Sequence, residues 1–205
     1  MADDDDALAR LRAHYEPRIE RFSESYQVLD WEDPASQRKR FLTLTENVPL
    51  AGKSLLDVGC GLGDLYAFLR QRGTAAVEYT GVDVLERMVS EARNRHPEGE
   101  FFCTDVIGDA AWRPKGFDVV FCSGVFNLKI GENTALLRRA LGRFFAMARE
   151  TVVFNLLDEK SPDRDERYCY FSQQQVREML RAFECEVHVV SDYLPNDFTT
   201  ICRLL

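Results

Sequence analysis

Polar and apolar positions along the chain change their period twice. From Ala7 to about Tyr26, the residues Leu8, Leu11, Tyr15, Ile19 and Phe22 recur at helical spacing, which puts them on one face. Pro17 stands inside that run. It lacks an N–H, so a kink or a split in the helix is predicted there. A second helix is predicted after Asp33, with Asp33 as N-cap and Pro34 in its first turn. It turns Phe41, Leu42 and Leu44 inward and ends near Val48 and Pro49. Beyond it, strands are predicted over 54–59, 78–83, 100–105, 117–123 and 151–157, and helices over 64–72, 85–95, 132–149 and 172–182. Such alternation builds βαβ units and a parallel sheet covered on both faces. The last stretch breaks the rule: 185–193 and 197–204 read as two strands joined by a short Pro-Asn-Asp turn. The predicted fold class is therefore α/β, a seven-stranded, mostly parallel, doubly wound sheet with a C-terminal antiparallel hairpin and an N-terminal helical cap. Residues 1–50 are expected to form that cap as part of the same domain, and 51–205 the core.

One segment carries chemistry. Leu55, Leu56 and Val58 make an apolar strand that runs into a turn holding Gly59, Gly61 and Gly63, and a helix follows. Glycine permits positive φ and a close approach of ligand to backbone, and the helix N-terminus offers free N–H groups. Asp57 adds a carboxylate before the turn. Together these describe a site for a nucleotide-like cofactor. A dinucleotide fingerprint would need its third glycine at position 64. That position is Asp64, and an acid at a helix N-terminus repels a pyrophosphate.

The pattern D-x-G-x-G-x-G resembles motif I of class I S-adenosylmethionine (SAM) dependent methyltransferases. SAM has no phosphate and carries an ammonium and a sulfonium, which tolerate nearby acids. The closing hairpin points the same way. The resemblance covers roughly residues 50–205. It implies that Asp57, Gly59, Cys60, Gly61 and Gly63 surround the cofactor, with Asp57 on its ammonium. Asp83, with Val84 beside it, becomes the ribose carboxylate, the alternative being an N-cap. Asp105 accepts from the adenine amine while the Val106 N–H donates to the ring. The main chain around Ser123 faces the methionine part. Phe126 and Asn127 look into the acceptor pocket, core packing being the alternative for Phe126. The segment lacks the N/D-P-P-Y sequence of enzymes acting on amide or adenine amino nitrogens. Residues 31–41, the S-G-V-F-N stretch and the D-F-T ending are also similar to a small bacterial subgroup. That similarity implies that Trp31, Gln37, Arg40 and Phe41 line or cover the cofactor end.

The implied function is methyl transfer from SAM to a small-molecule acceptor, by direct displacement at an oxygen or nitrogen nucleophile, leaving S-adenosylhomocysteine (SAH). The alternatives are a SAM-binding sensing or partner-binding module without turnover, and a methyltransferase with a protein or RNA acceptor. SAM is already activated, so proximity does most of the work, and a base is needed only for a protonated nucleophile. His14 and Asn127 are weak catalytic candidates. His96 is expected to be exposed and His188 structural. The region 158–170 offers Arg164, Arg167, Tyr168 and Tyr170 as substrate groups, Tyr170 foremost, a solvated loop being the alternative.

Composition narrows this further. A net charge of −8 disfavours nucleic acid and anionic membranes as partners. No stretch approaches the roughly 18 apolar residues of a membrane span. The start, Asp3 to Asp6, is expected to fray or to open the first helix. It does not read as a signal peptide, so a cytoplasmic location is expected. The six cysteines show no C-x-x-C spacing. They are expected to be reduced, mostly buried small hydrophobes, with no metal site.

Overall fold

A computed structural model describes residues 2–73, 77–109, 112 and 116–205, with side chains from Asp6 onward. The elements run α1 (Ala2–Arg21), α2 (Ser25–Val28), α3 (Pro34–Asn47), β1 (Ser54–Val58), α4 (Asp64–Gln71), β2 (Glu78–Asp83), α5 (Glu86–Arg95), β3 (Glu100–Cys103), β4 (Phe117–Cys122), α6 (Asn133–Met147), β5 (Ala148–Leu157), α7 (Gln173–Leu180), β6 (Cys185–Val190) and β7 (Asp197–Leu204). The seven strands form one sheet in the order β3-β2-β1-β4-β5-β7-β6. The first five are parallel, and β7 runs antiparallel between β5 and β6. The order reverses at β1, so the crevice above the ends of β1 and β4 is the natural ligand position in such a sheet.

The two faces of the sheet follow the period of two in its strands. Leu55 of β1, Val119 and Phe121 of β4 and Val153 of β5 pack with α3, α4 and α5. Their neighbours Leu56, Val58, Val120 and Val152 pack with α6 and α7. The N-terminal helices join the rest through a third cluster. In it Val28, Leu62, Leu85 and Met88 are covered by Leu8, Leu11, Tyr15, Ile19 and Phe22.

Several boundaries differ from expectation. The first helix starts at Ala2 and passes through Pro17 without splitting. Pro17 and Ala13 both lie on the exposed side, so water can serve the carbonyl that loses its donor. The acidic start is thus helical in its backbone, while the side chains of Asp3 to Asp5 lie outside the described residues. The third strand stops at Cys103, because the Asp105 carboxylate turns the chain by accepting from the amides of Ile107 (2.9 Å) and Gly108 (2.8 Å). Helix α6 ends at Met147, and 148–150 extend β5 instead. His96 is half-buried against Tyr66, with ring centroids 5.6 Å apart. All six cysteines are free, but Cys103 is exposed rather than buried. Among the described residues no helix is long and apolar enough to cross a membrane.

Candidate functional site

The glycine turn is built around the end of β2. The amides of Gly59 and Cys60 donate to the Val82 carbonyl at 2.8 and 3.0 Å. The next amide, Gly61, donates to Asp83 Oδ2 at 3.0 Å, while Asp83 Oδ1 accepts from Leu85 at 2.9 Å. A single carboxylate therefore ties the turn to the start of α5. Gly59 and Gly61 have φ of +74° and +54°, in the left-handed region that favours glycine. A Cβ on Gly59 would meet Val125 Cγ2 at 2.2 Å, and one on Gly61 would meet Leu29 Cδ2 at 2.8 Å.

Above this turn lies a cavity of about 780 Å³. Its lining brings together most of the residues singled out from sequence: Trp31, Asp57, Gly59, Cys60, Gly61, Asp83, Val84, Asp105, Val106, Ser123 and Asn127, with Gln37 and Phe41. Asp57 is buried beneath the turn and accepts a 2.7 Å hydrogen bond from Tyr79 Oη. Burial raises its carboxyl to about 7, against the pull of that hydrogen bond. Burial also raises the Asp83 carboxyl, while the amides of Leu85, Gly61 and Val84 oppose the rise. Cys103 borders the cavity, and desolvation with Glu86 nearby pushes its thiol up to about 11.

Five expectations are corrected, the last of them His14. Arg40 does not border the cavity. Its guanidinium is buried on Asp197, 2.9 Å from Nε and 2.5 Å from Nη2 to the same Oδ2, and its face covers Trp31 at 4.2 Å from the ring centroid. Phe126 is fully buried in the core beside α6. The Asn133 amide, holding the carbonyls of Phe126 (3.0 Å) and Leu128 (2.8 Å), fixes the loop that turns it inward. Gly63 caps α4 at φ +80° rather than bordering the cavity. Tyr170 does not border it, its hydroxyl accepting from the Asp165 amide at 2.9 Å.

His14 does not border the cavity either, but it leads to residues that sequence reasoning passed over. Its Nε2 lies 3.1 Å from Asp30 Oδ2. Asp30 also accepts from Arg18 Nη2 and from Tyr168 Oη, both at 2.5 Å. Asp30 and Tyr168 both border the cavity, as do Leu8, Leu11 and Tyr15 of α1 and Ile130 and Leu136. The one local sign of Asp30 is that aspartate tolerates its φ of +60° better than most side chains do. Tyr168 was visible only as one of several polar residues in a charged loop.

Three buried polar atoms on the cavity lining have no hydrogen-bond partner among the described residues: Trp31 Nε1, Ser123 Oγ and Asn127 Oδ1. Buried polar atoms are normally satisfied, and a ligand with both donors and acceptors would suit these three.

Comparison with known proteins settles the family. A family model described as a methyltransferase domain matches residues 55–146. A putative methyltransferase of Mycobacterium tuberculosis is 30% identical over 161 residues, covering 73% of this chain and 92% of that protein. The chain belongs to the class I S-adenosylmethionine-dependent methyltransferases. A ubiquinone biosynthesis O-methyltransferase of an Azoarcus species is 36% identical over 104 residues, 45% of this chain. The match spans only 43% of that relative's own length. The fold is that of magnesium protoporphyrin IX methyltransferase from Synechocystis, solved with SAH bound. That match has a TM-score of 0.71 at 15% identity and covers 98% of this chain and 100% of that one.

The methyltransferase cavity fits SAM on its own terms. Its lining has glycine positions where a Cβ would collide with neighbours, acids suited to a ligand with two cationic groups, and the three unpartnered polar atoms.

Proposed function

We propose that this methyltransferase acts on a small-molecule acceptor, by direct displacement at an oxygen or nitrogen nucleophile. The observation that carries the reading is the lining of the cavity. It continues past the glycine turn and Asp83 to a largely apolar wall of Leu8, Leu11, Ile130 and Leu136. Its volume of about 780 Å³ lies within the usual range for enclosed small-ligand sites. The names of the relatives support the reading, since they include an enzyme of ubiquinone biosynthesis and one for magnesium protoporphyrin.

When bound, SAM supplies a methyl group already activated on a sulfonium. In our reading Asp83 holds its ribose hydroxyls, Asp105 and the Val106 amide its adenine, and Asp57 its ammonium. Trp31 and Ser123 sit at the methionine end. Residues 1–50 act as a helical cap on the domain formed by 51–205. Leu8, Leu11 and Tyr15 of that cap exclude water from the reacting groups, and alignment in a dry site is the main source of rate for an activated donor.

The test is incubation of the protein with methyl-labelled SAM and a fractionated cell extract. Label in small metabolites is expected. Label confined to protein or RNA overturns the acceptor class, and tight SAM binding without transfer overturns turnover.

A further inference from the structure

Among the apolar residues of the lining stands a hydrogen-bond acceptor, Tyr168. Tyr168 Oη gives its proton to Asp30 Oδ2 at 2.5 Å, so its remaining lone pairs are left to accept. Asn127 Oδ1 is buried on the same cavity with no partner among the described residues. The backbone sets these two residues side by side. Leu128 and Tyr168 form an antiparallel bridge, the Lys129 amide donates to the Arg167 carbonyl at 2.9 Å, and the Cys169 amide donates to the Asn127 carbonyl at 2.7 Å.

The position of Asp30 is fixed from behind. Arg18 reaches it at 2.5 Å while also donating to the carbonyls of Gln27 and Val28, and His14 Nε2 lies 3.1 Å away. The hydrogen bonds from His14 and Tyr168 and the charge of Arg18 outweigh burial and hold the carboxyl down at about 2. With Arg18 on its other oxygen, Asp30 accepts the Tyr168 proton as a carboxylate.

Charge around the cavity agrees. Asp6, Asp30 and Glu132 border it in addition to the acids near the glycine turn, and Arg139 is the one cationic side chain of the described lining. Arg40 is committed to Asp197, and Arg18 to Asp30. A carboxylate acceptor would meet these acids and could not donate to Tyr168.

We infer that the methyl acceptor is a hydrogen-bond donor without negative charge, an alcohol, phenol or amine, and that Tyr168 selects it, with Asp30 as the positioning residue of Tyr168. The inference rests on the small-molecule reading above and narrows it to a substrate class.

The experiment labels an extract with methyl-labelled SAM, isolates the labelled product and treats it with mild alkali. A hydroxyl or amine acceptor yields an ether or N-methyl product that keeps its label, and a cation exchanger at low pH then separates the amine from the ether. Release of labelled methanol would identify a methyl ester and overturn the inference. With the product in hand, Tyr168→Phe should lower kcat/KM by ten-fold or more, while SAH binding by calorimetry stays within two-fold of wild type. Unchanged transfer, or a loss of SAH affinity, overturns the role of Tyr168. Asp30→Asn suits the same positive φ and should lower transfer in the wild type but add no loss in the Tyr168→Phe background. Additive losses would mean that Asp30 acts only on the fold. If the wild type binds SAH and labels no small molecule, the small-molecule reading fails before this one is reached.

Discussion

Tyr79 Oη donates a 2.7 Å hydrogen bond to Asp57 Oδ2 beneath the glycine turn, and it is the only side-chain hydrogen bond to that carboxylate in the described structure. Burial nevertheless raises the carboxyl to about 7. Folded Asp57 thus holds a proton that the unfolded chain releases near 4. Its contribution to stability is fully present below that lower value and is lost as pH rises through about 7. The expected slope is up to about 1.4 kcal/mol per pH unit between pH 5 and 7. Urea unfolding at a series of pH values checks it, and Asp57→Asn should flatten the curve. A wild-type curve that is flat or rises over this range would refute the assignment.

The same proton should report on cofactor binding. If Asp57 faces the SAM ammonium, the bound state favours the carboxylate. Binding near pH 6 should then release close to one proton, and near pH 8 almost none. Calorimetry in buffers of different ionisation enthalpy measures this directly. Equal proton release at both pH values would move the ammonium away from Asp57.

Asp83 is the second test of the cofactor reading. It joins Gly61 to Leu85 in the free protein and, in the proposal, also accepts from the ribose. Asp83→Ala should weaken SAH binding by roughly 1.5–3 kcal/mol, the usual worth of hydrogen bonds to a charged group. The melting temperature should fall as well, because two amides lose their partner. Unchanged affinity with reduced stability would leave Asp83 as a structural tie alone.

What could be read from sequence was what is local. The glycine turn, Asp83 and Asp105 sit at strand ends, where neighbouring residues determine both backbone and neighbourhood, and the cavity lining includes Gly59, Gly61, Asp83 and Asp105. The sheet was legible for the same reason, since its strands are short apolar runs between turn residues. Arg40 was misjudged because its partner, Asp197, lies 157 residues away. Tyr168 was underestimated because Asp30 is 138 residues distant. Phe126 and Asn127 are adjacent, and only the fold of their loop sends one into the core and leaves the other on the cavity.

Gly61 tests how closely the cap and the turn are fitted. Its missing side chain leaves space that Leu29 already approaches, since a Cβ would lie 2.8 Å from Leu29 Cδ2. Gly61→Val should remove measurable SAH binding and lower stability together. Leu29→Ala in that background should recover stability without recovering binding. Normal SAH binding by Gly61→Val would contradict the reading of the glycine turn as the cofactor cradle.

Arg40 and Asp197 make the last prediction. The pair is almost fully buried, and Asp197 is further held by Asn155 Nδ2 at 3.1 Å and by the Tyr193 hydroxyl. Removing the cation strands a carboxylate whose burial already raises its proton affinity. Arg40→Ala should therefore cost about 3–5 kcal/mol in denaturant unfolding. Removing both charges, as Arg40→Met with Asp197→Asn, should cost less than Arg40→Ala. SAH affinity should change only modestly, through the loosened Trp31 ring that the guanidinium covers. A variant that keeps its stability but loses SAH would return Arg40 to the cofactor, against the position that the fold gives it.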